Sequence, residues 1–179
     1  MNFCSHCGGL IHAKLPEGDN RLREVCSACD TVFYSNPKMV VGCLPEWEDK
    51  VLLCRRAIEP QLGKWTLPAG FMENHETTLQ GALRETEEEA GAQVEIVQLF
   101  TLCNLPHISQ VYIMFRARLL NLDFAPGEES LEVKLFNEHE IPWNDIAFLT
   151  VEYTLREYFS DRIKGSFGFH LADIPRRNR

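Results

Sequence analysis

Residues 84–91 read RETEEEAG: Glu85, Glu87, Glu88 and Glu89 are crowded into five positions directly ahead of Gly91. The apolar spacing upstream predicts a helix over 76–90, ended by Gly91 as its left-handed terminal residue. At about 100° per residue, Leu79, Ala82, Leu83, Thr86 and Ala90 share one face, expected to pack on a sheet. Glu85, Glu88 and Glu89 share another, because positions three and four apart are neighbours, so their carboxylates are expected on one patch away from the core. Each like-charge pair costs roughly 0.2–0.5 kcal/mol. Negative charge in the last turn opposes the helix dipole by roughly 0.3–1 kcal/mol. Arg84 is one cation beside the group and cannot neutralise it all. A divalent ion reverses the sign of the argument, since Mg²⁺ and Mn²⁺ favour hard oxygen ligands. The other reading of such a run is a solvated acidic face.

Outward from this helix, the chain alternates apolar runs and turns. KMVVGCLPEW and KVLLCRR are expected to pair through a turn at Glu48-Asp49, followed by a loop over Pro60–Gly63 and the short segment WTLPAGF. QVEIVQLFTLCNL, SQVYIMFRARLL and LEVKLFN are strand-like, and DIAFLTVEYTLREYF reads as a second amphipathic helix. The tail IPRRNR is expected to fray. Cys43, Cys54 and Cys103 lie in strand-like segments and are expected in the core.

The first 35 residues differ in kind. Cys4-Ser-His-Cys7 and Cys26-Ser-Ala-Cys29 form two CxxC pairs separated by residues 8–25, a spacing suited to one tetrahedral zinc ion. Gly8 and Gly9 follow the first knuckle, where positive φ is wanted. IHAKL and RLREV are expected as short strands around PEGDN. His6 and His12 are possible ligands, but four sulfurs already fill the site. So small a ribbon draws much of its folding free energy from the metal.

The chain has 179 residues, 45% of them hydrophobic, and a net charge of −8. That balance favours a folded protein and argues against general nucleic-acid or anionic-membrane binding. No signal peptide or membrane-spanning run is visible, so a cytoplasmic protein is expected.

Gly70, five residues, Glu76, seven residues, then Arg84 through Ala92 resembles the Nudix box, G-x5-E-x7-REUxEExGU, where U is a bulky aliphatic. Every charged and glycine position matches; Thr86 and Ala92 stand where aliphatics are preferred. A four-cysteine ribbon followed by such a domain is similar to the NADH pyrophosphatase branch of that family, although LCNLPHISQVYIMF lacks that branch's SQPWPFP segment. NPKMVVG, WTLPAGF and LPHISQVY look more like a ribbon-bearing subgroup related to plant FAD pyrophosphatases. Pro106 falls near where a proline marks some ADP-ribose pyrophosphatases.

The resemblance implies an α+β fold: a Nudix α/β/α sandwich with a mixed sheet over 36–179, preceded by a zinc ribbon over 1–35. It implies metal-dependent hydrolysis of a nucleoside diphosphate linked to another group, with FAD (giving FMN and AMP) favoured over ADP-ribose or NADH. Glu85, Glu88 and Glu89 are then the Mg²⁺ or Mn²⁺ ligands. Glu88, Glu89 or a later carboxylate (Glu128, Glu129, Glu132) is the general base. Arg84 orients a box glutamate, Glu76 stabilises the first helical turn, and Gly70 lets backbone approach metal and phosphates. Glu87 is expected in solvent. Arg55 and Arg56 alternate across a strand, so at most one faces substrate; Phe71, Trp65 and Tyr112 are candidate stacking residues. A homodimer is expected by analogy with related enzymes. The competing class is a zinc-ribbon protein- or RNA-binding module carrying a non-catalytic Nudix scaffold.

Overall fold

The computed structural model describes residues 1–176; residues 177–179, the end of the tail expected to fray, lie outside the described residues. The chain forms two compact units, Met1–Asn36 and Pro37–Arg179. The smaller is a three-stranded antiparallel sheet of β1 (Ile11–Lys14), β2 (Arg23–Cys26) and β3 (Val32–Phe33). Cys26 closes β2 and Cys4, Cys7 and Cys29 lie on the adjoining turns and loop, with Gly8 at φ 75° after the first pair.

The larger unit runs β4 (Lys38–Trp47), β5 (Lys50–Arg56), β6 (Trp65–Thr66), β7 (Ala69–Phe71), α1 (Thr78–Ala90), β8 (Val94–Leu105), β9 (Gln110–Leu119), β10 (Ser130–Phe136), α2 (Leu149–Lys164) and β11 (His170–Asp173). Its sheet is ordered β10-β5-β4-β9-β8-β11, with β6 on β5 and β7 on β4. The β4–β9 and β8–β11 pairs are parallel and the others antiparallel, so the sheet is mixed. The expected hairpin between β4 and β5 is confined to Glu46↔Val51 and Trp47↔Lys50. Beyond it β4 turns to β7 and β9, and β5 to β6 and β10.

Alternation along the strands builds two layers of core. Leu44, Leu53 and Met114 pack with Leu155, Tyr158 and Phe159 of α2. The next residues along, Cys43 and Phe115, pack with Ala82 of α1, and Cys54 packs with Ala90. Helices therefore cover both faces of the sheet. Cys43, Cys54 and Cys103 are all buried. The register of α2 is fixed by polar contacts as well. The Tyr158 hydroxyl donates to Glu46 (2.8 Å), which Arg116 chelates through Nε and Nη2 (3.0 and 2.8 Å). Thr101 and Thr154 share a hydrogen bond of 2.9 Å. The helix begins at Leu149, later than the sequence pattern suggests, because residues 143–148 run as a short 3₁₀ turn and extended chain.

The helix α1 corrects two expectations. It starts at Thr78 behind a capping box made by Thr77 and Gln80, so Glu76 lies outside the first turn. Its buried face is Gly81, Ala82, Glu85, Thr86, Glu89 and Ala90, whereas Leu79 and Leu83 are exposed. The small residues allow close approach to β4, and that rotation carries Glu85 and Glu89 inward. No helix among the described residues is long and apolar enough to cross a membrane.

Candidate active site

Arg84 organises the C-terminal half of α1. Its Nε and Nη2 fork onto Glu76 (3.1 and 2.8 Å), Nη1 donates to Glu85 (2.7 Å) and Glu88 (3.0 Å), and Nη2 also reaches the Phe71 carbonyl (3.2 Å). All five donors of the guanidinium are engaged. Glu76 thus holds Arg84, and its pKa is lowered by that contact and by the Glu73 N–H. Gly70 faces this cluster at close range: a Cβ there would fall inside the Glu85 carboxylate. Glu87 is exposed.

Two of the three candidate metal ligands are buried, contrary to the expected patch away from the core. Glu85 is 9% exposed and Glu89 7%, while the Glu88 side chain is 60% exposed. Burial raises the Glu85 pKa against the opposing pull of Arg84. Burial also raises that of Glu89 to about 8, only partly offset by the N–H of Ala69, which donates to its Oε2 at 3.1 Å. A carboxylate this poorly compensated, at a cavity wall, is suited to a cation.

The three glutamates do not yet form a coordination set. Among the described residues, the ligand atoms of three or more His, Cys, Asp or Glu gather within 4.8 Å only at the four cysteines and at Glu157, Asp161 and His170. The reason is directional: Arg84 Nη1 draws Glu85 and Glu88 together, while the Ala69 N–H draws Glu89 toward β7. The donor chemistry fits a hard divalent ion, and Glu88, held by Arg84 but the most exposed of the three, is the one least confined by packing.

The end of α1 is closed by the β9–β10 connection. The N–H groups of Gly91, Ala125 and Gly127 donate to the carbonyls of Glu87 (2.8 Å), Ala90 (2.9 Å) and Glu89 (3.1 Å). Any Cβ at Gly127 would overlap the Glu88 carbonyl. These donors satisfy orphan carbonyls at the helix end, where the glutamates are concentrated.

Glu85, Glu88, Glu89, Gly70 and Arg84 line a cavity of about 900 Å³. Arg56, Phe71, Tyr112, Glu128 and Glu129 also line it. Arg55 and Glu132 do not: they face each other at 3.8 Å outside it. The alternation of β5 thus selects Arg56 for the cavity. Trp65 packs edge-on to Phe136 (4.8 Å) in the core. The beginning of α2, Phe148 to Val151, forms a further wall. Nothing in the sequence marks Thr150 for that place, since a threonine entering an amphipathic helix carries no signal by itself.

In the small unit, the Sγ atoms of Cys4 and Cys29 are 3.7 Å apart, Cys7 and Cys26 3.5 Å, and Cys7 and Cys29 3.4 Å. A tetrahedron with Zn–S near 2.3 Å has edges of about 3.8 Å, so the four sulfurs fit zinc. Hydrogen bonds from Thr31 lower Cys29 to about 6. The Gly9 N–H favours the Cys7 thiolate, but the neighbouring sulfurs outweigh it and push Cys7 up to about 12. Such a set ionises together only around a cation. His6 and His12 are not among these ligands; the His6 ring faces Phe33.

Comparison with known proteins agrees with this geometry. A profile of the NUDIX domain matches residues 36–156, and one described as Nudix N-terminal, a zinc ribbon, matches residues 2–35. The NAD-capped RNA hydrolase NudC of Photobacterium profundum is 32% identical over 131 residues, 73% of this chain and 47% of that protein. An ADP-ribose pyrophosphatase of Methanocaldococcus jannaschii is 27% identical over 116 residues, 62% of this chain and 68% of that protein. The chain spans 47% and 62% of the length of the NudC proteins of Photobacterium profundum and Vibrio vulnificus. A crystal structure of a NUDIX hydrolase from Nitrosomonas europaea shares 61% identity over 97% of this chain and 99% of that one, with a TM-score of 0.94.

Proposed function

The chain belongs to the Nudix family, and from that premise we propose that it is a metal-dependent pyrophosphohydrolase that cleaves the diphosphate of a nucleoside diphosphate linked to a second group. The observation that carries this reading is the buried Glu89 beside Glu85 and Glu88, at the wall of a cavity large enough for a nucleotide. Mg²⁺ or Mn²⁺, when bound there, would supply charge neutralisation and Lewis-acid activation of the diphosphate. Glu85, Glu88 and Glu89 would hold the ion. Arg84, clamped by Glu76, presents Glu85 and Glu88 to the cavity. Glu89 Oε1, the oxygen not engaged by Ala69, is also placed to accept a proton. Glu128 and Glu129 are the alternative acceptors from the β9–β10 connection. The four cysteines hold a structural zinc.

FAD, NADH and ADP-ribose share the ADP half that such a site requires. FAD is favoured, on the runs NPKMVVG, WTLPAGF and LPHISQVY. Because relatives named NAD-capped RNA hydrolase match the chain, an RNA bearing 5′-NAD belongs in the same panel. The net charge of −8 opposes it as preferred substrate. The test is a coupled phosphatase assay with and without Mg²⁺, comparing kcat/KM across the panel. Activity that survives Glu88→Gln and Glu89→Gln together removes the metal site from the reaction. An absence of turnover on every member, with Mg²⁺ or Mn²⁺ supplied, leaves the scaffold reading in its place.

A further inference from the structure

The part of the cavity wall formed by Arg56 and the start of α2 carries donors that have no protein partner among the described residues. Arg56 is 9% exposed, and its Nε donates to the Pro60 carbonyl at 2.8 Å. Its guanidinium carbon lies 5.2 Å from the centre of the Phe148 ring. Among the described residues the Nη1 and Nη2 groups make no hydrogen bond and no ion pair within 4.0 Å. Phe148 is the residue before α2 and offers no side-chain cap. Its carbonyl accepts the N–H groups of Val151 and Glu152, both at 3.1 Å, whereas those of Leu149 and Thr150 have no acceptor among the described residues. Thr150 is 2% exposed, and its hydroxyl is the one buried side-chain polar atom without a partner among the described residues. Arg56, Phe148, Leu149 and Thr150 all line the cavity.

Each of these features is unfavourable alone. An unpaired buried hydroxyl forfeits its hydration, and an arginine stacked on a ring without a carboxylate is a buried charge in search of a counter-ion. Together they share one sign: a guanidinium fork, first-turn N–H groups and the positive end of a 16-residue helix all favour an anion. Glu89 is not that anion. Arg56 is near enough to favour its ionised form, yet the two make no contact within 4.0 Å. The gap suits a group that is supplied from outside.

We propose that Arg56, Thr150 and the first turn of α2 form a second phosphate subsite, which holds the phosphate of the diphosphate that is not attacked while the glutamates hold the metal at the other. This assignment rests on the pyrophosphohydrolase reading. It makes the substrate a bridging diphosphate gripped at both phosphorus atoms and orients which bond faces the metal.

The test uses the full-length, zinc-loaded protein and three variants: Thr150→Val, Arg56→Lys and Arg56→Gln. Calorimetric titration with inorganic pyrophosphate in magnesium-free buffer reads the subsite directly. Wild type binds, and each variant binds about tenfold or more weakly, the loss expected for a charge-assisted or buried hydrogen bond. Thr150→Val removes an unpaired hydroxyl at constant shape, so its melting temperature holds or rises while affinity falls, a combination that a merely structural role does not produce. With the preferred substrate, the loss falls in KM rather than kcat, because the grip is the same in ground and transition states. Variants that fold and match wild type in both pyrophosphate affinity and KM overturn the subsite while leaving hydrolysis intact. A wild type that cleaves no diphosphate, yet binds pyrophosphate through Arg56 and Thr150, overturns hydrolysis instead.

Discussion

Replacing Glu89 by Gln separates stability from activity. The carboxylate is 7% exposed, and burial is the chief cause that moves its pKa from 4.5 to about 8. A raised carboxylate pKa means that the folded chain retains a proton which the unfolded chain releases. Its contribution to stability is therefore whole below about pH 4.5 and is lost as pH rises through about 8. At about 1.4 kcal/mol per unit, the cost is about 3 kcal/mol at neutral pH and levels off near 5 kcal/mol above the folded-state pKa. Gln preserves the volume and an oxygen acceptor for the Ala69 N–H, and it needs no proton. Relief of about 3 kcal/mol in a domain of this size raises Tm by roughly 6–12 °C. Melting followed between about pH 5 and 9, in zinc-containing buffer without magnesium, shows a gap between variant and wild type that widens with pH. Added Mg²⁺ then stabilises wild type far more than the variant, and the variant's turnover falls by about a thousandfold. A variant that melts at or below wild type in the alkaline range, or that turns over at the wild-type rate, refutes the electrostatic reasoning.

Gly70→Ala drives a methyl group into the Glu85 carboxylate, so turnover falls at least about tenfold and the Mg²⁺ activation curve shifts to higher concentration. Asp161→Asn breaks a buried cluster in which Asp161 faces His170 at 2.6 Å and accepts from Gly168 at 2.9 Å. Burial opposes ionisation of Asp161, but those contacts and Lys164 outweigh it and its pKa is lowered. Its support is thus present at and above neutral pH and fades only as pH falls below the ordinary carboxylate range. Denaturant titration at neutral pH shows a loss of about 3 kcal/mol that shrinks in acid. Removing zinc with a thiol-selective chelator, with Mg²⁺ replenished, lowers stability before activity. Prompt loss of turnover in a fully folded sample contradicts a structural role for the ribbon.

The ribbon and the strand-like runs up to β10 were legible because their signals are local, whereas β11 (His170–Asp173), a short edge strand after α2, was not anticipated. Two CxxC pairs bring four sulfurs together whatever surrounds them, and period-two runs mark strands without reference to partners. The face of α1 was not legible. Leu79 and Leu83 are more hydrophobic than Gly81 and Ala82, but β4 passes so close that only the small residues fit beneath the helix, and Val41 would meet any Cβ at Gly81. That packing decision turns Glu85 and Glu89 inward and creates the perturbed carboxylate. Arg84 was read as one cation beside too many anions, whereas its alliance with Glu76, eight residues away, appears only once the loop before α1 folds back. Thr150 escaped notice because its significance is a missing partner, a property of three-dimensional surroundings alone.

The docking of Ala125 and Gly127 onto the last carbonyls of α1 ties the β9–β10 connection to the helix that carries the glutamates. Up to Gly127 the segment is welded to the helix, and lengthening it there would shear the glutamates out of alignment. Glu128 and Glu129 follow at the cavity wall, where the Glu129 carbonyl accepts from the Ala57 N–H at 2.8 Å and the Ser130 N–H donates back to Gly127 at 3.1 Å. Side-chain changes at Glu128 and Glu129 therefore probe their part as alternative proton acceptors while leaving the junction behind them in place.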